Sequence, residues 1–318
     1  MNDAMIAQRD AFGAALVELG RNDPKIVVLD ADLATSTKAD MFALAFPDRF
    51  FQMGVAEQNM FGVAAGLATL GFIPFAVTFA CFTAKRALDQ IRIAIAQPHI
   101  NVKMVGAYSG LLTGKTGKTH QSVEDIAVFR AMPHVVTIAP VDGLEVRRAM
   151  EAIVRYDGPV YLRLTRDPCP VVMPDEYKFE IGKAVLMRAG SDVTLIGTGQ
   201  KTIDCLEAAR LLADDGIEAT VLHVPTLKPL DDDAIIGAAA RSGRVVTVED
   251  HTIIGGLGGA VAELLGERHP LPIRRVGYQD TFAESGSNQD LLEKYGLQPR
   301  HIVEAVRGVL DFEAGAPG

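Results

Sequence analysis

With 318 residues and 48% hydrophobic content, the chain is long enough for two domains of ordinary size and can bury a sizeable core. A net charge of −9 and the lack of a clustered Lys/Arg stretch argue against nucleic acid or an anionic membrane surface as the main partner. The three cysteines, Cys81, Cys169 and Cys205, lack C-x-x-C or other ligand spacing, which disfavours a disulfide framework or a zinc site and suits a reducing cytoplasm.

The first residues, MNDAMIAQRDAF, carry charges and no apolar signal core, and the most apolar stretch, around residues 62–77, is broken by Gly, Thr and Pro74. Neither export nor a membrane span is expected. Short β-branched runs then alternate with Ala/Leu-rich helical stretches: KIVVLD, FIPFAVTF, VKMVGAYS, VVTIAP and VYLRLT. That rhythm predicts a mostly parallel sheet flanked by helices over residues 1–165. At 166–182, RDPCPVVMPDEYKFEIG, prolines and charges interrupt any period and predict an interdomain linker. Over 183–318 the alternation resumes with DVTLIGTG, a helix over 200–214, IEATVLHV, a helix near 231–241, RVVTVED, a helix from about Leu257, PIRRVGY and two final helices. The expected fold class is α/β, with two domains and no internal repeat.

Ligands of open parallel sheets sit at the carboxyl ends of strands, and the residues following these runs are polar: DADLATST, FACFTAKR, SGLLTGKTGKTHQS and Arg166. Glu57 leads GVAEQNMFG into an apolar helical stretch, where a carboxylate at a helix start needs no special explanation. The loop at 109–122 lacks the P-loop register, because Ser109 and Leu112 precede Gly114 and Gly117 by five residues. An anion site built on Lys115, Lys118 and His120 and an ordinary solvated loop are equal readings of it. His120 lies shortly before Ser122, whose S-x-x-D spacing to Asp125 predicts a helix start. The other histidines show no H-E-x-x-H or paired ligand spacing. Phe79 and Phe82, three apart at a strand end, can form an aromatic platform, although spacing alone favours core packing. GGLGG at 255–259 lacks the G-x-G-x-x-G register and reads as tight backbone packing.

Taken in order, DADLATS, GVAEQNMFGVAAGLA, TFACF, GKTHQSVEDIAVFRAMP, PVDGLEV, GGLGGAVAELL and GSNQDLLEKYGL resemble the C-terminal half of transketolases, as found in two-subunit members of the thiamine-diphosphate enzyme superfamily. The resemblance implies a pyrimidine-binding domain over 1–165 and a transketolase C-terminal domain over 183–318. It implies that Glu57 hydrogen-bonds N1′ of the cofactor's aminopyrimidine, favouring the imino tautomer that removes the thiazolium C2 proton. Phe79 and Phe82 match residues that stack on the aminopyrimidine, with Lys85 where the family has a third aromatic. His120 matches a histidine that contacts substrate, and Arg9, Ser36 and Arg166 match residues that grip a sugar phosphate.

Several positions depart from the familiar pattern. Thr116 replaces an aspartate that reads a substrate hydroxyl, Tyr108 replaces a histidine, and Lys115 and Lys118 replace an acidic residue and a proline. The loop is therefore more positive and its hydroxyl recognition altered, which points to a non-standard donor or acceptor such as apulose 4-phosphate or a sulfonated sugar. The chain lacks G-D-G followed by N-N, through which the superfamily holds Mg²⁺ and the diphosphate. A second polypeptide carrying that domain is thus implied, in an α₂β₂ assembly with interfacial active sites, acting in the cytoplasm on sugar phosphates by two-carbon ketol transfer. The rival readings are the β subunit of a 2-oxo acid dehydrogenase E1 component, a 1-deoxyxylulose-5-phosphate synthase-like activity, a non-catalytic regulatory partner, and a self-sufficient nucleotide-binding protein.

Overall fold

The computed structural model describes residues 2–312. Strands β1 (Asn2–Ala7), β2 (Ile26–Asp30), β3 (Phe50–Gln52), β4 (Ile73–Phe79), β5 (Lys103–Ala107), β6 (Val136–Ile138), β7 (Val160–Arg163) and β8 (Pro168–Val171) come from the first part of the chain. They are followed by β9 (Val185–Arg188), β10 (Val193–Gly197), β11 (Ala219–His223), β12 (Thr226–Lys228), β13 (Val245–Thr252) and β14 (Ile273–Tyr278).

The first sheet has seven strands in the order β12-β6-β7-β5-β4-β2-β3. All its pairs are parallel except β12 against β6. The second has five strands, β14-β13-β10-β11-β9, with β9 alone antiparallel. The β-branched runs fill the central strands, where both faces are covered and near-continuous apolar sequence is required. Within 166–182, β8 pairs antiparallel with β1, so this segment is tied to the start of the chain. Its prolines are tolerated because a two-stranded ladder has only edges.

Helices Gln8–Asn22 and Gly143–Arg155 cover one face of the first sheet through Phe12, Leu16, Val146 and Met150. Helix Glu57–Thr69 and the segment after β4 cover the other through Met60, Phe61, Ile91 and Ile95. Asp142 caps helix 143–155 by accepting from the Glu145 amide at 2.8 Å. Glu145, fully buried, accepts from Val141 N at 2.6 Å, Tyr177 OH at 2.9 Å and His223 Nε2 at 2.8 Å. The last of these bonds joins the end of β11 to the first domain. In the second domain Glu249 accepts from the amides of Leu257 and Gly258 at 2.7 and 2.8 Å. A Cβ on Gly256 would overlap that carboxylate, so the glycine-rich segment serves close packing, as its register indicates.

Lys103 opens β5 in a buried position and donates to the carbonyls of Tyr156 and Gly158 at 2.6 and 3.0 Å. Burial lowers its ammonium pKa to about 7, with Asp157 acting in the opposite direction. Since the unfolded chain holds this proton to a higher pH, stability is expected to rise between about pH 7 and pH 10, by up to about 1.4 kcal/mol per pH unit. Thermal unfolding of Lys103→Met across this range should lose that rise. An unchanged pH dependence would contradict it.

Candidate active site

Four strand ends and one helix start converge. Ser36 follows β2, Phe79 ends β4 with Phe82 just beyond, Tyr108 and His120 follow β5, and Arg166 follows β7, while Arg9 is on the first turn of helix 8–22. Parallel strands put these ends along one edge of the sheet.

Tyr108 sits between two cations. Its hydroxyl oxygen accepts from Arg9 Nη1 at 2.7 Å, and the guanidiniums of Arg9 and Arg166 lie 5.7 and 5.4 Å from its ring centroid. Its backbone is left-handed, with φ 55°, a rare conformation for a bulky residue and of a kind that clusters at functional sites. Arg9 Nη1 also donates to the Ser36 carbonyl at 3.1 Å. The Nε atoms of Arg9 and Arg166 have no hydrogen-bond partner among the described residues. These Nε atoms are buried, and paired guanidiniums have the donor chemistry that suits a tetrahedral anion.

Beside this pair the rings form a stack. Phe79 lies 4.3 Å from Tyr108 and 6.0 Å from Phe82, centroid to centroid, at interplanar angles of 23° and 21°. His120 meets Phe82 and Phe79 edge-on at 5.4 and 6.1 Å, and its Nδ1 is 2.9 Å from Thr119 Oγ1. Phe79 is buried and Phe82 half-buried, so packing and a presented aromatic face coexist in one cluster.

Glu57 is the first residue of helix 57–69 and is 1% exposed. Its Oε1 accepts from Arg86 Nη1 at 2.7 Å, while Oε2 is buried without a partner among the described residues. Arg86 in turn lies 4.1 Å over the Phe82 ring, linking the carboxylate to the aromatic stack. The π-helical turn Phe82–Arg86 sets this register, and it directs Lys85 to an ion pair with Glu124. Lys85 is thus a cation turned to an acid and away from the ring stack's own arginine, Arg86.

Asp30, at the end of β2, is fully buried and burial pushes its carboxyl pKa up. Its Oδ2 accepts from Leu33 N at 2.8 Å and Gln52 Nε2 at 2.9 Å. Gln52 Oε1 accepts from the amides of Asp32 and Gly54 at 2.9 and 3.0 Å, fixing the turn that feeds Glu57. Gln52 escapes sequence reasoning, and Asp30 and Arg86 lie within the polar segments DADLATST and FACFTAKR without being singled out there. The one available signal for Asp30 is an acid closing an apolar strand.

Thr116 is exposed, and its hydroxyl donates to Thr113 Oγ1 at 2.7 Å. Ser122 does not cap a helix: its Oγ is buried without a partner among the described residues, and helix Asp125–Ala131 starts after Glu124. The helix start predicted from the S-x-x-D spacing is present within two residues, but the capping contact is not, because the Asp125 carboxylate is committed to Tyr161 OH and Arg163 Nε at 2.7 and 2.9 Å. Among the described residues no cluster of three His, Cys, Asp or Glu is arranged to hold a metal ion, and no helix is long and apolar enough to cross a membrane.

Comparison with known proteins identifies two domains: residues 4–170 match the transketolase pyrimidine-binding domain and residues 182–302 the transketolase C-terminal domain. The chain is 44% identical to the 6-deoxy-6-sulfo-D-fructose transketolase subunit SqwH of Clostridium sp. (strain MSTE9), over 95% of this chain and 94% of that one. It is 37% identical to an apulose-4-phosphate transketolase subunit of Phocaeicola vulgatus, over 95% and 97%. A solved split-gene transketolase, described as an inactive β4 tetramer, superposes with TM-score 0.90 at 48% identity, covering 96% of this chain and 98% of that one.

Proposed function

The chain belongs to the transketolase family, as the subunit of a split enzyme that carries the pyrimidine-binding and C-terminal domains, and on that premise we propose that it transfers a two-carbon ketol unit between sugars bearing a terminal tetrahedral anion. The observation that carries this reading is the juxtaposition of Glu57 Oε2, partnerless among the described residues, the Phe79–Phe82 faces and the Arg9–Tyr108–Arg166 cluster along one sheet edge.

These residues fit thiamine diphosphate. A buried carboxyl oxygen with no partner suits a ring nitrogen that shares a proton, and half-buried phenylalanine suits a flat heterocycle. When bound, the cofactor supplies the carbon nucleophile of the transfer. Glu57 would hold the aminopyrimidine through Oε2 while Arg86 anchors Oε1. Phe79 and Phe82 would fix its plane and exclude water. His120, edge-on to both rings, would face the substrate, and Arg9, Ser36 and Arg166 would fasten the anion so that the reacting carbon is positioned. Mg²⁺ and the diphosphate fall to a partner subunit.

The place for that partner adjoins Glu57. On helix 57–69, Val63 is exposed and a Cβ on Gly62 or Gly66 would meet open space, while Val55 and Leu70 beside it are 70% and 75% exposed. An apolar face of this kind suits burial against protein, and an α₂β₂ complex would seat Glu57 at the subunit interface.

Two of the relatives are named for a sulfonated and a branched sugar. Tyr108 engages a donor of Arg9, and Thr116 presents no carboxylate to a substrate hydroxyl, so a non-standard sugar of one of these two types is the substrate expected here. The test is to purify the chain with the product of a neighbouring gene that encodes the diphosphate-binding domain. Apulose 4-phosphate, 6-deoxy-6-sulfofructose, ordinary ketose phosphates and pyruvate are then screened. Two-carbon transfer by the complex and none by the isolated chain is expected; turnover of pyruvate alone would replace this reading with that of a 2-oxo acid dehydrogenase subunit.

A further inference from the structure

The loop that follows β5 belongs to the first domain in sequence, yet the second domain holds it. Leu111 is buried in the second domain's core, and its amide donates to Asp250 Oδ1 at 2.9 Å. Gly110, with φ 71°, admits the Asp250 carboxylate where a Cβ would overlap it. Gln121 Nε2 donates to the Glu284 carbonyl at 3.1 Å, and Asn288 Nδ2 reaches the Leu112 carbonyl at 3.4 Å. The same Asn288 Nδ2 donates to Asp167 Oδ2.

That last bond bears on the anion grip. Asp167 is the neighbour of Arg166, and its Oδ1 stands 3.9 Å from Arg166 Nε, too far for a hydrogen bond. Arg166 Nε is accordingly buried without a partner among the described residues, while the side chain as a whole is 40% exposed. An adjacent carboxylate is the natural quencher of a guanidinium, since a bidentate pair would occupy the donors that a substrate anion needs. We propose that Asn288 is a positioning residue for the anion site: by holding Asp167 it keeps Arg166 available to a phosphate or sulfonate, so the second domain sets the affinity of a site built in the first.

The inference rests on Arg166 serving as an anion donor in the proposed reaction, and inorganic phosphate probes it without turnover. In ³¹P NMR titrations of the full chain, Arg166→Ala should weaken phosphate binding. Asn288→Ala should weaken it about tenfold, the worth of one lost charge-assisted bond, and Asn288→Ala/Asp167→Asn should restore it to within about twofold. Asn288→Ser replaces the alanine variant if that does not fold. In the assembled complex the same substitution should raise KM for the anionic sugar while sparing kcat. Wild-type affinity in Asn288→Ala, no effect of Arg166→Ala, or failure of the double variant to recover binding would each overturn the inference. A wild-type complex that transfers no two-carbon unit would instead remove the proposed function, with the phosphate titration still deciding the role of Asn288.

Discussion

Complexes carrying Glu57→Gln are expected to assemble normally and to lose two-carbon transfer by about 10²–10⁴-fold, the range for removing a positioned proton-transfer group. The substitution keeps shape and volume. The amide oxygen can still accept from Arg86, now bonded to Oε1 at 2.7 Å, so the helix start and the contact of Arg86 with Phe82 are preserved. What changes is the inner oxygen, which has no partner among the described residues and becomes an NH₂ group unable to take up a proton. Steady-state transfer rates checked against thermal midpoints separate the two effects. Wild-type turnover in a folded Glu57→Gln complex would remove Glu57 from the chemistry.

The largest loss of stability is expected from Asp125→Ala. Asp125 is fully buried and accepts from Tyr161 OH and Arg163 Nε, while Arg163 Nη2 donates to the Asp250 carbonyl at 2.5 Å. Removing the carboxylate strands a guanidinium that is 4% exposed beside an unpaired phenol. Breaking one side of a buried pair costs about 3–5 kcal/mol. Because Arg163 bridges to the second domain, thermal unfolding should shift to lower temperature for both domains together. Adding Arg163→Met and Tyr161→Phe removes the stranded groups and should recover most of the loss, as apolar replacement of a whole buried ionic cluster commonly does. A triple variant no more stable than Asp125→Ala would show that packing, and not the unpaired charge, dominates.

The sequence announces the core of this fold clearly and its edges poorly. The nine apolar runs read as strands all form, because a buried parallel strand needs a near-continuous apolar stretch. The strands that pass unnoticed are β1, β3, β8, β9 and β12, which lie at sheet edges or in the small separate ladder. There neighbours supply the order that composition does not. β8 is written Pro-Cys-Pro-Val, and no propensity argument finds it.

The site shows the same division. Phe79, Phe82, His120 and Arg166 are marked by positions at or just beyond strand ends and by resemblance, and Glu57 by resemblance alone. Arg86 is hidden because a π-helical turn, which periodicity does not anticipate, decides which way it faces. Asn288 and Asp167 are 121 positions apart, and only the folded chain makes them neighbours. The Ser122 pattern marks the helix start but not its cap, because the Asp125 carboxylate is taken by a tertiary cluster.

Strand β12 lies within the sequence of the second domain but completes the sheet of the first, pairing Thr226 with Ile138 and Lys228 with Thr137. A ribosome delivering this polypeptide therefore cannot finish its first folding unit until the chain has grown well into the next, and β6 waits meanwhile as an open edge of the kind that invites wrong partners. The same interleaving bears on how such a gene can be divided. A break between the two domains of this chain would leave one product missing a strand and the other carrying it with nowhere to dock.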